Sequence, residues 1–124
     1  MPAPDRFPCT ARWLLVAAWA LVIFSVSSLQ GSSLPRVGWD YSQIGHFTGY
    51  AVLGALTVFA AGPRTAAVRT ALVLLLACSL YGVSDEYHQS FVPGRTADPV
   101  DWAVDTLGAG VAIAAVSLAA RRRA

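Results

Sequence analysis

Lysine is absent from the 124-residue chain, cysteine occurs twice, and charged residues make up 13% of the sequence. Two cysteines cannot staple a small secreted domain, and so little charge cannot keep a disordered chain solvated. The 10 glycines and 7 prolines follow no period, which excludes a collagen-like chain. All nine basic residues are arginine and form no stripe that could track phosphates, so no nucleic-acid partner is expected. What the chain has in abundance is apolar: 56% of its residues are hydrophobic, too many for a soluble domain of this length. An integral membrane protein remains.

Crossing a bilayer core takes ~20 predominantly apolar residues. Four stretches approach that length, at about 13–29, 44–61, 66–83 and 100–120. Turn-forming residues separate them: Gln30 to Ser33, Gly62-Pro63 and Pro93-Gly94, with Asp98-Pro99 just before the last span. This pattern predicts an all-α polytopic membrane protein of four transmembrane helices. Residues 1–12 form an N-terminal tail, 13–120 the membrane domain and 121–124 a basic C-terminus.

Alternating the four spans assigns Arg6, Arg12, Arg64, Arg69, Arg121, Arg122 and Arg123 to one side of the membrane. Arg36 and Arg95 fall on the other, with Asp40, Asp85, Glu86, Asp98, Asp101 and Asp105. Arginine-rich segments stay in the cytoplasm, so the expected orientation is N-in/C-in in a bacterial inner membrane, with the acidic cluster extracytoplasmic. Trp39, Tyr41, Tyr87 and Trp102 then lie near the outer interface and Trp13 near the inner one. A cleaved signal peptide is the alternative for the first span, because Arg12 precedes an apolar stretch ending in Val26, Ser27 and Ser28. Cys9, in the tail, and Cys78, inside the third span, cannot meet in a disulfide.

Ionisable groups are costly inside a bilayer, ~2.5–3.5 kcal/mol for an Asp at mid-span on an insertion scale. Here they gather at one end. His46 opens span two, Asp85 and Glu86 close span three, and Asp101 and Asp105 occupy the first two turns of span four. A connection covering 84–99 adds His88, Gln89 and Arg95. Asp98-Pro99 reads as a helix cap followed by proline at the first helical position, and Asp101 favours the free amides of the same turn. Asp105, a turn deeper, is beyond the reach of capping. Asp101 and Asp105 share a helical face, so they need a cation, a proton or a metal between them. Arg95 is the expected cation, able to pair with two carboxylates at once.

Three readings of the cluster stay open. It is a polar plug that glues the helices, a ligand site in which Arg95 receives an anionic group, or a catalytic site in which a carboxylate or His46 acts as general base. His46, Asp85, Glu86, His88 and Asp105 include residue types that bind divalent metals, but no HExxH or CxxC spacing organises them, so no cofactor is expected and a divalent metal is the minority alternative. Ser84, Ser90 and Thr96 have no nucleophile-elbow motif around them. Gly45 with Gly49, and Gly108 with Ala112, have the small-xxx-small spacing of packed helices, between spans or in a homodimer. Tyr50 shares the face of His46, one turn deeper.

These residues resemble the VanZ-like family of small bacterial membrane proteins. The likeness rests on Ser27-Ser28, His46-Phe47 with Tyr50 and Leu53-Gly54, and the block from Tyr81-Gly82 to Gly108. That block contains Asp85-Glu86, Gln89, Phe91 to Arg95, Asp101 and Asp105 in the family's order. Departures are Ser42-Gln43, where the family often has Asp-Lys, Asp98 in place of a capping Ser, and Asp105 where Asn is frequent. The resemblance implies a cell-envelope protein associated with teicoplanin resistance. Its site, comprising His46, Tyr50, Asp85, Glu86, Gln89, Arg95, Asp101 and Asp105, would bind a surface lipid, cell-wall precursor or glycopeptide. A membrane-embedded hydrolase or transferase on an envelope substrate is the alternative, and a structural partner subunit the third.

Overall fold

The computed structural model describes residues 7–33, 39–62 and 67–122. Arg6, Arg36, Pro63, Arg64 and Arg123 lie outside the described residues, as do the side chains of Trp39, Asp40 and Tyr41. Four helices account for most of the chain: α1 (Cys9–Ser27), α2 (Trp39–Ala61), α3 (Val68–Gln89) and α4 (Pro99–Arg121), with one 3-10 turn at Gly31–Ser33. No strand occurs among the described residues, and each helix is long and apolar enough to cross a membrane. Their outward faces carry large apolar side chains, including Leu14 and Leu21 of α1, Leu72 and Leu76 of α3 and Leu107 and Leu118 of α4. Lipid tails solvate such faces at no hydrophobic cost.

Contacts along the helices fix an up-down-up-down bundle. His46 of α2 meets Asp105 of α4, and further along Gly54 meets Ala109, so these two helices run parallel. The α1 helix runs with α3, where Tyr81 meets Ala20 and Gln89 meets Ser27. The pair α2 and α4 packs most extensively. Glycine makes that crossing possible, because a Cβ on Gly54 would stand 2.7 Å from the Ala109 carbonyl oxygen and one on Gly108 would collide with that of Phe47. Tyr50, Leu53 and Val58 of α2, Leu74 and Cys78 of α3 and Ala109 and Ile113 of α4 form the buried core.

The boundaries depart from the sequence expectation in one consequential place. The third helix does not end near 83 but continues to Gln89, which shortens the connection to 90–98. Cys78, Gly82, Asp85 and Gln89 recur at helical spacing and are all buried, so the polar residues continue the inward face instead of breaking the helix. At the other end of the chain, α1 begins at Cys9, four residues before the expected start. Cys9 is exposed and Cys78 buried, and both are free thiols.

The small-residue pairs also divide differently. A Cβ on Gly45 or Gly49 would meet nothing within 4 Å, so that pair is no packing seam. The close approach on α2 is at Gly54, whereas on α4 Gly108 makes one and Ala112 is half-buried. Gly108→Val should therefore destabilise the bundle by about 1–3 kcal/mol through overpacking, whereas Gly45→Ala should leave it unchanged or slightly more stable. Thermal unfolding of the detergent-solubilised variants measures both.

Candidate functional site

The end of the bundle where α1 and α3 finish and α2 and α4 begin collects the ionisable side chains. Local sequence explains the start of α4. Asp98 accepts the Val100 N–H at 2.8 Å, and Pro99 occupies the first turn, where a missing N–H costs nothing. The Asp98 N–H in turn donates to Glu86 Oε2 at 2.8 Å, which ties the last turn of α3 to the cap of α4.

His46 stands at the centre. Its Nδ1 lies 2.9 Å from Asp105 Oδ1 and its Nε2 lies 3.5 Å from Asp101 Oδ2. One imidazole thus serves both carboxylates that the spacing of α4 places on one face. Gln43, a turn earlier on α2, donates its amide to Asp101 Oδ1. On α3, Asp85 Oδ2 receives a long contact from the Tyr50 hydroxyl at 3.4 Å. Asp105 is fully buried at 0% exposure, and Asp85 and Glu86 are at 5% and 6%. Among the described residues, three buried carboxylate oxygens have no hydrogen-bond partner: Asp85 Oδ1, Glu86 Oε1 and Asp105 Oδ2. Two sets of side chains bring potential metal-ligand atoms within 4.8 Å of one another, His46 with Glu86 and Asp101, and Asp85 with Glu86 and Asp105.

Beside this cluster lies a cavity of about 720 Å³. The α1 helix gives it an apolar wall of Trp19, Val22, Ile23 and Val26, and the polar side is formed by His46, Tyr50, Asp85, Gln89 and Asp101. Gly45 and Gly49 face it without side chains. Hydrogen bonds hold α1 in place: Trp19 Nε1 donates to the Gly49 carbonyl at 2.9 Å, Tyr81 to the Ala20 carbonyl at 2.6 Å, and Gln89 to Ser27 Oγ at 2.8 Å. His88 bonds Ser28 at 2.9 Å and stacks on Phe24.

The expected Arg95 pairing is corrected. No acidic oxygen among the described residues lies within 4.0 Å of its guanidinium, and the position beside Asp101 and Asp105 is taken by the His46 imidazole. The loop explains this. Gly94 adopts a φ of +73°, the Gly31 N–H donates to the Pro93 carbonyl at 3.0 Å, and a Cβ on Gly31 would collide with Gly94. Anchored to the 3-10 turn, the loop carries Arg95, half-buried, to the lining of the cavity.

Of the sequence-selected residues, His46, Tyr50, Asp85, Glu86, Asp101 and Asp105 come together, Gln89 joins them through the cavity and α1, and Arg95 stands apart on the lining. Sequence reasoning missed Gln43, Trp19 and Gly31. An indole N–H in the middle of an apolar helix was the available signal, since it needs an acceptor when removed from water. Nothing in the local sequence marks Gly31 as the partner of Gly94.

Fold and site together define a multi-pass membrane protein with a cavity, apolar on its α1 wall and polar on the opposite side, at one end of a four-helix bundle. The VanZ/LLP1 family model matches residues 10–120, and the chain belongs to that family. Comparison with curated proteins and with solved structures returns no match.

Removing one partner of the central pair leaves a buried carboxylate alone, which costs about 3–5 kcal/mol. His46→Leu should therefore be strongly destabilising, and adding Asp105→Leu should restore much of the loss. A double-mutant cycle read by thermal unfolding in detergent checks this, and additive losses would show that the two side chains do not act as a pair.

Proposed function

We propose that this VanZ-family protein presents its cavity to the extracytoplasmic side of a bacterial inner membrane and there holds an anionic group of an envelope component. A lipid headgroup, a lipid-linked cell-wall precursor and a glycopeptide all fit that description. The observation that carries this reading is Arg95, a half-buried guanidinium on the cavity lining with no acidic oxygen within 4.0 Å among the described residues. A buried or half-buried cation retains its full capacity for a bidentate anion only when no internal carboxylate occupies it.

The composition of the walls supports the same reading. Trp19, Ile23 and Val26 offer an apolar surface to an acyl chain or aromatic ring, while Gln89, His46 and Asp101 offer hydrogen bonds to a polar head. Ligand sites combine these two features, a largely apolar enclosure and a few converging polar groups. Orientation rests on the positive-inside rule: Arg12, Arg69, Arg121 and Arg122 belong to helix ends opposite the cavity.

Expression in a teicoplanin-susceptible host tests the glycopeptide form. The parent should raise resistance, and Arg95→Ala should lose it at an unchanged level of folded, membrane-extracted protein. Arg95→Lys should also fail, because a point charge does not replace a bidentate fork. If the parent confers nothing, native mass spectrometry of the purified protein should find a co-purifying anionic lipid that Arg95→Ala binds at least ~10-fold more weakly, the ratio a ~1.4 kcal/mol contact gives. Equal lipid retention by parent and Arg95→Ala overturns the assignment.

A further inference from the structure

The cavity does not absorb all the chemistry of this end of the bundle. Glu86 and Asp105 lie outside its lining, yet with Asp85 they bring carboxylate oxygens within 4.8 Å of one another from two different helices. All three side chains are more than nine-tenths buried. Each keeps an oxygen with no hydrogen-bond partner: Asp85 Oδ1, Glu86 Oε1 and Asp105 Oδ2. Such oxygens are costly to bury unless something positive reaches them. The basic side chains among the described residues do not reach them. His46 is committed to Asp105 through one nitrogen and faces Asp101 with the other, and no arginine among the described residues comes within 4.0 Å of the three.

We infer that Asp85, Glu86 and Asp105 hold a hard divalent cation, of the class of Mg²⁺, Mn²⁺ or Ca²⁺, buried behind the cavity. Two ligand oxygens on one ion can stand no further apart than twice the metal–oxygen distance, ~4.1 Å for Mg²⁺ and ~5 Å for Ca²⁺. Three oxygens at the observed limit of 4.8 Å from one another lie about 2.8 Å from a common centre, so they must close by a few tenths of an ångström on Ca²⁺ and by more on Mn²⁺ or Mg²⁺. A donor set of carboxylates without a thiol selects oxygen-seeking ions. His46 then orients Asp105 by its hydrogen bond, as ring N–H groups orient ligating carboxylates elsewhere. The Asp98 N–H does the same for Glu86. Because Asp85 also lines the cavity, the carboxylate set adjoins a space from which water or an anionic ligand oxygen can enter.

The inference stands on the carboxylate geometry and not on any ligand of the cavity, and the test keeps the two apart. The full chain is placed in phosphatidylcholine nanodiscs, stripped with chelator and titrated with Mn²⁺, the free ion being read by electron paramagnetic resonance. One Mn²⁺ should bind per chain and be displaced by Mg²⁺ or Ca²⁺. Asp85→Asn and Glu86→Gln keep side-chain volume and should weaken binding by at least about 10–100-fold, the cost of losing an outer-shell partner alone. Arg95→Ala should bind Mn²⁺ as the parent does, even where it loses an envelope ligand. The stoichiometry of the parent decides the matter should a variant fail to fold. Folded parent that binds no Mn²⁺ overturns the inference, with protons then balancing the charge. Equal binding by folded Asp85→Asn and Glu86→Gln, or retention of Zn²⁺ alone, overturns it as well.

Discussion

The pairing of His46 with Asp105 is the interaction around which the polar end of this bundle is organised. A carboxylate with no exposed surface, placed between membrane helices, requires a partner at hydrogen-bond distance, and only one ring reaches it, at 2.9 Å. The demand has structural consequences. It fixes the register of α2 against α4, because shifting either helix by one residue rotates the partner away by about 100°. That register in turn brings Phe47 onto Gly108 and Gly54 onto Ala109, where only glycine permits the approach. Polar specificity and close packing thus enforce the same alignment.

From this alignment the third helix takes its length. Asp85 and Glu86 are near the end of an apolar run, where water would ordinarily receive them. They face instead a partner set already assembled on α2 and α4, the Tyr50 hydroxyl and the Asp98 N–H. With one oxygen of each carboxylate bonded inside the bundle, α3 continues for six residues past the expected end. The loop that follows is short enough to be held by one backbone hydrogen bond to Gly31. Arg95 owes its position on the cavity lining to that brevity.

Legibility in the sequence follows the range of each interaction. Four apolar runs and the cap at Asp98-Pro99 depend on neighbours in the chain, and they could be read directly. So could the shared face of Asp101 and Asp105, which is helical periodicity. The identity of their partner could not, since Arg95 and His46 are both within plausible reach and only tertiary structure chooses between them. Gly45 and Gly49 mislead for a related reason. Their spacing is that of a packed interface, but small residues also line space, and nothing local tells which. Family resemblance repeated the residue selection already made from depth and charge, marked Gln43 only as a departure from the family pattern, and said nothing about Trp19 or Gly31.

The first helix explains how a bundle of this size keeps a cavity at all. Among lipid tails, apolar side chains gain little by leaving the lipid, so helices associate through packing and hydrogen bonds. The three other helices pack closely around Tyr50, Leu74 and Ala109, whereas α1 buries only Ser27. What holds α1 is a row of polar contacts, Trp19 to Gly49, Tyr81 to Ala20, Gln89 to Ser27 and Ser28 to His88. Val16, Trp19, Ala20 and Ile23 add apolar contacts to the core along the same helix. Where α2 then presents Gly45 and Gly49 toward α1, no side chain fills the gap. The cavity is therefore a product of how α1 is attached, and the residues that attach it bound the space beside the carboxylates.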